Sequence, residues 1–311
     1  MRDTKSADAP PHLSAGDLAT LLPSWGRSLR AENKSPRTVV AYTTGARQLL
    51  DFLRATGMPT EASAIRREHI EAFIEDVLSR HRASTAATRY RDLQQLFRWL
   101  EEEGEIPVSP MARMRPPKLD ERPVPTVPEA DLVALFKACS GRDFEGRRDT
   151  AIIRTFLNTG ARLAELANLQ LEHVDLDMRE LYVTGKGRKG RALPLGAKAV
   201  KDIDRYLRLR GRHKDSALPW LWLGPRGHLT NSGVAQMLRR RSREAGIEPV
   251  VQPHQFRHTF SHLWLSAGGA EHDLAKINGW ASLQMVGRYA SSAAVERAKN
   301  AHARIDPGAE F

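Results

Sequence analysis

Apolar residues recur at helical spacing through the first third of the chain. Leu18, Leu21, Leu22, Trp25 and Leu29 make one stripe, which predicts a helix over residues 14–31 that Pro23 kinks or breaks. Ser35 as N-cap and Pro36 at the first helical position open a second helix; Tyr42, Leu49, Leu50 and Leu53 line it and Gly57 ends it. Ile70, Phe73, Ile74, Val77 and Leu78 predict a third over residues 67–79. Tyr90, Leu93, Leu96, Phe97 and Leu100 predict a fourth, from Ser84 or Thr85 to Gly104. Four helices with short connections predict a small bundle over residues 14–104.

The pattern then breaks. Residues 105–128 hold seven prolines, which exclude helix and central strand, and carry Arg113, Arg115, Lys118 and Arg122. They read as an extended, basic linker. Helical patterns resume over residues 129–138, 148–158, 197–209, 230–245 and 293–304. An apolar run of helix length also lies between His258 and Gly279, and Trp220 to Leu223 is a short apolar segment. Three strand-like segments, residues 173–176, 180–184 and 191–195, lie in the middle, with a Gly-rich turn at 185–190 between the last two. The expected fold is mainly α with a small antiparallel β-sheet: a four-helix domain followed by an α+β domain over residues 129–304.

Charge sharpens this picture. Lys and Arg number 48 against 37 Asp and Glu, a net charge of +11. Such an excess favours a polyanionic partner. No apolar run approaches the roughly 18 residues of a membrane span. Residues 1–11 are polar and lack a secretory signal's apolar core. The single cysteine, Cys139, excludes an internal disulfide and a Cys-rich zinc site, and its apolar neighbours predict burial. A cytoplasmic, nucleic-acid-binding protein is expected. Arg37, Arg89 and Arg115 are candidate phosphate contacts, as are Arg239, Arg240, Arg241 and Arg243 at one helix end.

The candidate chemistry lies near the C-terminus. His254 and Arg257 stand three residues apart and share a helix face. They can hold the non-bridging oxygens of a phosphate while the Tyr289 hydroxyl attacks it, and His254 can alternatively accept the Tyr289 proton. His254, His258 and His262 also form a four-residue ladder, but without a carboxylate and beside Arg257, so no metal is expected. Upstream, Gly160 should end one helix and Arg162 start another, where free backbone N–H groups would help bind an anion; Glu165 follows one turn on. The turn holding Lys186, Arg188 and Lys189 lacks Walker A spacing, so a nucleotide site is rejected.

His254-x-x-Arg257-His258, then Gly279-Trp280, then Tyr289 nine positions after Trp280, resembles the tyrosine recombinase (phage integrase) family. So does Thr159-Gly160-Ala161-Arg162-Leu163, and the resemblance spans about residues 14–304. It implies a SAM-like core-binding domain followed by the α+β catalytic domain, in the simple two-domain arrangement. It implies that Arg162, Lys186, His254, Arg257, Trp280 and the nucleophile Tyr289 are catalytic, with Glu165 supporting. Double-stranded DNA carrying specific recombination sites is the implied substrate, cleaved and rejoined through a 3′-phosphotyrosine link without a cofactor. Residues 293–304 would join neighbouring protomers in a tetramer on DNA. Lys186 would reach the minor groove beside the scissile phosphate. Being lysine in a Gly-flanked turn, it is also the candidate proton donor to the departing 5′-oxygen, with Lys189 second. Trp280 stands where histidine is commoner in the family, which inclines the reading toward a mobile-element integrase rather than a chromosome-dimer-resolving recombinase. The rivals are a type IB topoisomerase, a telomere resolvase and a non-catalytic DNA-binding regulator of the same fold.

Overall fold

The computed structural model describes residues 16–119, 125–185, 190–280, 282–287, 289, 298–299 and 302–303. The chain divides into two units, Met1–Glu121 and Arg122–Phe311.

Among its described residues the first unit holds four α-helices: α1 (Leu18–Ala31), α2 (Pro36–Ala55), α3 (Arg67–Arg80) and α4 (Ala83–Glu102). The first two begin at side-chain caps. The Asp17 side chain caps α1, and the Ser35 hydroxyl accepts the Thr38 N–H at 3.1 Å with Pro36 in the first turn of α2. The break expected at Pro23 does not occur; α1 runs through it. Pro23 lies on the exposed face, and the buried stripe of Leu18, Leu21, Leu22, Trp25 and Leu29 offsets the lost hydrogen bond. Burying each such leucine contributes about 1.5–3 kcal/mol. Helices α2 and α4 approach closely at Gly45, where a Cβ would stand 2.7 Å from the buried Asp92.

The second unit places α6 (Phe144–Thr159) at its centre, packed against α8 (Ala197–Arg210) and α10 (Pro253–Ser266). Phe156 of α6 stacks on Phe256 of α10 with centroids 5.5 Å apart. Around them lie α5 (Glu129–Ala138), α7 (Leu163–Ala167), α9 (Asn231–Glu244) and α11 (Glu271–Asn278). Strands β1 (Val174–Asp175), β2 (Glu180–Thr184) and β3 (Gly190–Pro194) form an antiparallel sheet in that order. A two-stranded ribbon, β4 (Leu223–Gly224) and β5 (Gly227–His228), was not expected from the sequence.

Helix boundaries differ from the pattern in three places. Helix α1 begins at Leu18 rather than residue 14, since Asp17 caps it. Helix α6 begins at Phe144, because Asp143 caps it and accepts the Gly146 N–H at 2.7 Å. Its first turns are hidden from a hydrophobic pattern by buried Arg148 and Asp149. The run after His258 is two helices, because Gly268 (φ +83°) turns the chain between α10 and α11. Lys186, Arg188 and Lys189 lie outside the described residues, as does most of the tail helix expected over 293–304.

Candidate active site

The site is built where helices end. Helix α6 stops at Gly160, whose left-handed conformation (φ +59°) turns the chain toward Arg162 at the start of α7. A Cβ at Gly160 would meet Phe260 at 2.4 Å, so the turn is also pressed against α10. Gly279 (φ +60°) ends α11 in the same way. The two turns bring residues far apart in sequence to one place.

Arg162 and Arg257 converge there. Arg257 is 8% exposed; its Nη1 donates to the Gly160 carbonyl at 2.8 Å and its Nη2 to the Asn278 carbonyl at 2.6 Å. Arg162 Nη2 donates to the adjacent Gly279 carbonyl at 3.2 Å. Burial, then the charge of Arg162, lowers the Arg257 pKa to about 10. The guanidinium therefore stays charged at neutral pH, at a place where a negative group would relieve it.

Glu165 braces Arg162 and links it to a further arginine, Arg191. Its carboxylate accepts the Arg162 N–H at 2.8 Å and Arg162 Nη1 at 2.7 Å. It also accepts both Nη groups of Arg191, each at 2.8 Å. Burial alone would push its pKa up. The hydrogen bonds from Arg191, the Arg162 amide and the Arg162 side chain together outweigh burial and hold it at about 2. At the start of α7, therefore, the Arg162 amide is already taken by Glu165. Arg191, on β3, further donates from Nε to the Ile277 carbonyl at 2.8 Å, tying the sheet to the end of α11. The sequence reading missed Arg191. Its signal was an arginine two positions before Leu193, on the buried face of its strand.

Trp280 and Tyr289 complete the site. The two rings stack with centroids 5.2 Å apart and an interplanar angle of 12°. The Arg257 guanidinium lies 5.1 Å from the Trp280 ring centroid on its own account. Tyr289 is 4% exposed, and its hydroxyl lies 2.6 Å from His258 Nδ1. His254 is exposed and meets His258 edge-on, with centroids 5.3 Å apart. In the histidine ladder, His262 Nε2 stands 3.5 Å from Ser266 Oγ. Among the described residues, no cluster of His, Cys, Asp or Glu could hold a metal ion. Burial pushes the Cys139 thiol up to about 12, so it is no competing nucleophile.

The candidate DNA-contact arginines separate into two kinds. Arg37, Arg115, Arg239 and Arg243 are exposed. Arg89 pairs with the buried Asp92 at 3.0 Å. Arg241, its side chain 13% exposed, binds the buried Asp149 at 2.8 Å and the Ala138 carbonyl at 3.1 Å. Arg240 reaches the same carboxylate at 3.1 Å and Glu145 at 2.9 Å. The arginine run is therefore not one uniform phosphate grip: Asp149, fully buried, needs cations and takes two of its members.

Comparison with known proteins identifies the family and the fold. The Phage integrase family pattern matches residues 125–296, and the phage integrase N-terminal SAM-like domain matches residues 21–104. Tyrosine recombinase XerC of Oceanobacillus iheyensis is 31% identical over 262 residues, covering 81% of this chain and 84% of that one. XerC of Chlorobaculum parvum is 29% identical over 308 residues, covering 90% and 91%. In fold, the chain is similar to a lambda integrase dimer bound to a COC′ core site (TM-score 0.71, 18% identity, 88% of this chain and 95% of that one). It is also similar to the XerH site-specific recombinase bound to a palindromic difH substrate (TM-score 0.73, 16% identity, 91% and 84%). The chain belongs to the phage integrase family, the tyrosine recombinases.

Proposed function

We propose that the chain breaks and rejoins DNA at specific sites through a 3′-phosphotyrosine bond formed by Tyr289, and exchanges strands between paired sites. The observation that carries this reading is the shared Trp280 wall: Tyr289 stacks on it, and Arg257 lies against it. Nucleophile and cation are thereby held together before any DNA arrives. Attack by Tyr289 Oη forms an O–P bond and breaks the P–O5′ bond. Charge grows on the non-bridging oxygens, where Arg162 and Arg257 present forks already fixed by carbonyls and by Glu165. His254, exposed beside them, is a third ligand for the phosphate. Lys186 supplies the proton to the departing 5′-oxygen. A 5′-hydroxyl from another strand then attacks the phosphotyrosine and reverses the chemistry without ATP.

Exposed Arg37, Arg115, Arg239 and Arg243 contact DNA phosphates. A tetramer forms on paired sites, joined through residues 293–304. The lambda integrase tetramer bound to a Holliday junction, similar in fold at a TM-score of 0.68, supports this assembly. The XerC relatives favour resolution of chromosome dimers, whereas Trp280 favours a mobile-element integrase; the chemistry is the same for both. A two-site exchange assay run beside plasmid relaxation tests the function. Exchange that disappears in Tyr289→Phe is expected. Relaxation without exchange would assign the chain to the topoisomerases instead.

A further inference from the structure

We propose that His258, rather than His254, receives the phenolic proton of Tyr289, which leaves His254 to the phosphate. The proposal rests on Tyr289 being the nucleophile. Its basis is the placement of the two histidines. Tyr289 Oη lies 2.6 Å from His258 Nδ1, and the rings' centroids are 5.3 Å apart. The Trp280 stack fixes the phenol's plane, so the hydroxyl has a defined direction. His254, one turn earlier on α10, is exposed and touches His258 only edge-on. The inner histidine therefore holds the nucleophile and the outer one is open to an incoming anion.

For Nδ1 to accept, the ring proton must sit on Nε2. Burial, and then the neighbouring His254 and Arg257, pushes the His258 pKa down to about 4. The imidazole is therefore unprotonated at neutral pH, with the Nδ1 lone pair available. As the Oη–P bond forms, the phenolic proton moves to Nδ1; the P–O5′ bond breaks, and the 5′-oxygen takes its proton from the general acid. The phosphate brings negative charge beside the ring and raises its proton affinity at that moment. In rejoining, the 5′-hydroxyl attacks and gives its proton back to the general acid, the P–O5′ bond forms, the Oη–P bond breaks and His258 returns the proton to Oη.

The test has two parts, both on the full chain. In ¹⁵N-histidine-labelled protein without DNA, His258 Nδ1 should resonate at the unprotonated, pyridine-type position and shift in Tyr289→Phe. A protonated Nδ1 overturns the proposal, whatever the variants do. The second part uses a duplex recovered from random-sequence DNA by binding to this protein. It is nicked so that the released 5′-hydroxyl fragment is lost and the adduct accumulates. His258→Ala should form adduct about 100-fold more slowly or worse, with unchanged DNA affinity, and free imidazole should restore part of the rate. A wild-type rate in His258→Ala overturns the proposal, as does imidazole rescue of His254→Ala in its place. An adduct that persists in Tyr289→Phe removes the nucleophile reading itself. A dead Tyr289→Phe beside a fast His258→Ala removes only the role given to His258.

Discussion

Three exposed arginines of the first unit and the arginines around the site are held in different ways. Arg67, Arg80 and Arg98 make ion pairs four residues along their own exposed helices. Each such pair is worth a few tenths of a kcal/mol and leaves the side chain free to move to a DNA phosphate. Arg257 and Arg191 are fixed instead by main-chain carbonyls and by a carboxylate from other elements. Mobile cations supply affinity, and fixed ones supply transition-state charge stabilisation. Substitutions in the two regions should therefore fail in different assays.

The largest expected effect is at Arg257. Arg257→Ala removes a fixed fork and leaves the Gly160 and Asn278 carbonyls without their donor. Adduct formation at saturating DNA should fall about 1000-fold or more. Arg257→Lys should not recover it, since an ammonium cannot span both carbonyls and a phosphate. A lysine variant within tenfold of wild type would show that charge alone suffices.

Arg191 comes next. Arg191→Ala strips two of the hydrogen bonds from buried Glu165 and should cost about 3 kcal/mol of stability by denaturant unfolding. Adduct formation should fall by about ten- to a hundredfold, because Arg162 loses its brace. Unchanged stability would show that Arg162 alone satisfies the carboxylate.

Glu165 also sets a pH dependence. Its folded pKa, about 2, lies below the ordinary 4.5, so the unfolded chain binds more protons between those values. Stability from this group is present above pH 4.5 and is lost as pH falls toward 2. Glu165→Gln should flatten that part of the acid-unfolding curve, and an unaltered slope would assign the acid sensitivity elsewhere.

The smallest effect is expected at Arg37. Arg37→Ala should weaken DNA binding slightly, lower the salt slope by about one, and leave the adduct rate at saturating DNA unchanged. A slowed chemical step would erase the distinction between mobile and fixed arginines.

The same distinction explains what could be read along the chain. The stripe from Leu18 to Leu29 gave α1, and strand-like segments either side of a Gly-rich turn gave β2 and β3, because these patterns are local. The order and spacing of Arg162, His254, Arg257, Trp280 and Tyr289 carried the resemblance, and Glu165, one turn after Arg162, was read with them. Partners distant in sequence were not legible. Arg191 and Glu165 are 26 positions apart, and His258 and Tyr289 are 31 apart. Periodicity carries no information about which helix ends meet. Nor does it tell an arginine that solvates a surface from one, such as Arg241, that neutralises a buried aspartate.

Identification of the DNA-linked residue decides whether Tyr289 is the nucleophile. Adduct trapped on the nicked duplex is digested with protease and nuclease, and the nucleotide-bearing peptide is sequenced by mass spectrometry. A single modified residue is expected, Tyr289, joined to a 3′-phosphate. A nucleotide on any other side chain, or a 5′-phosphate link at Tyr289, would contradict it.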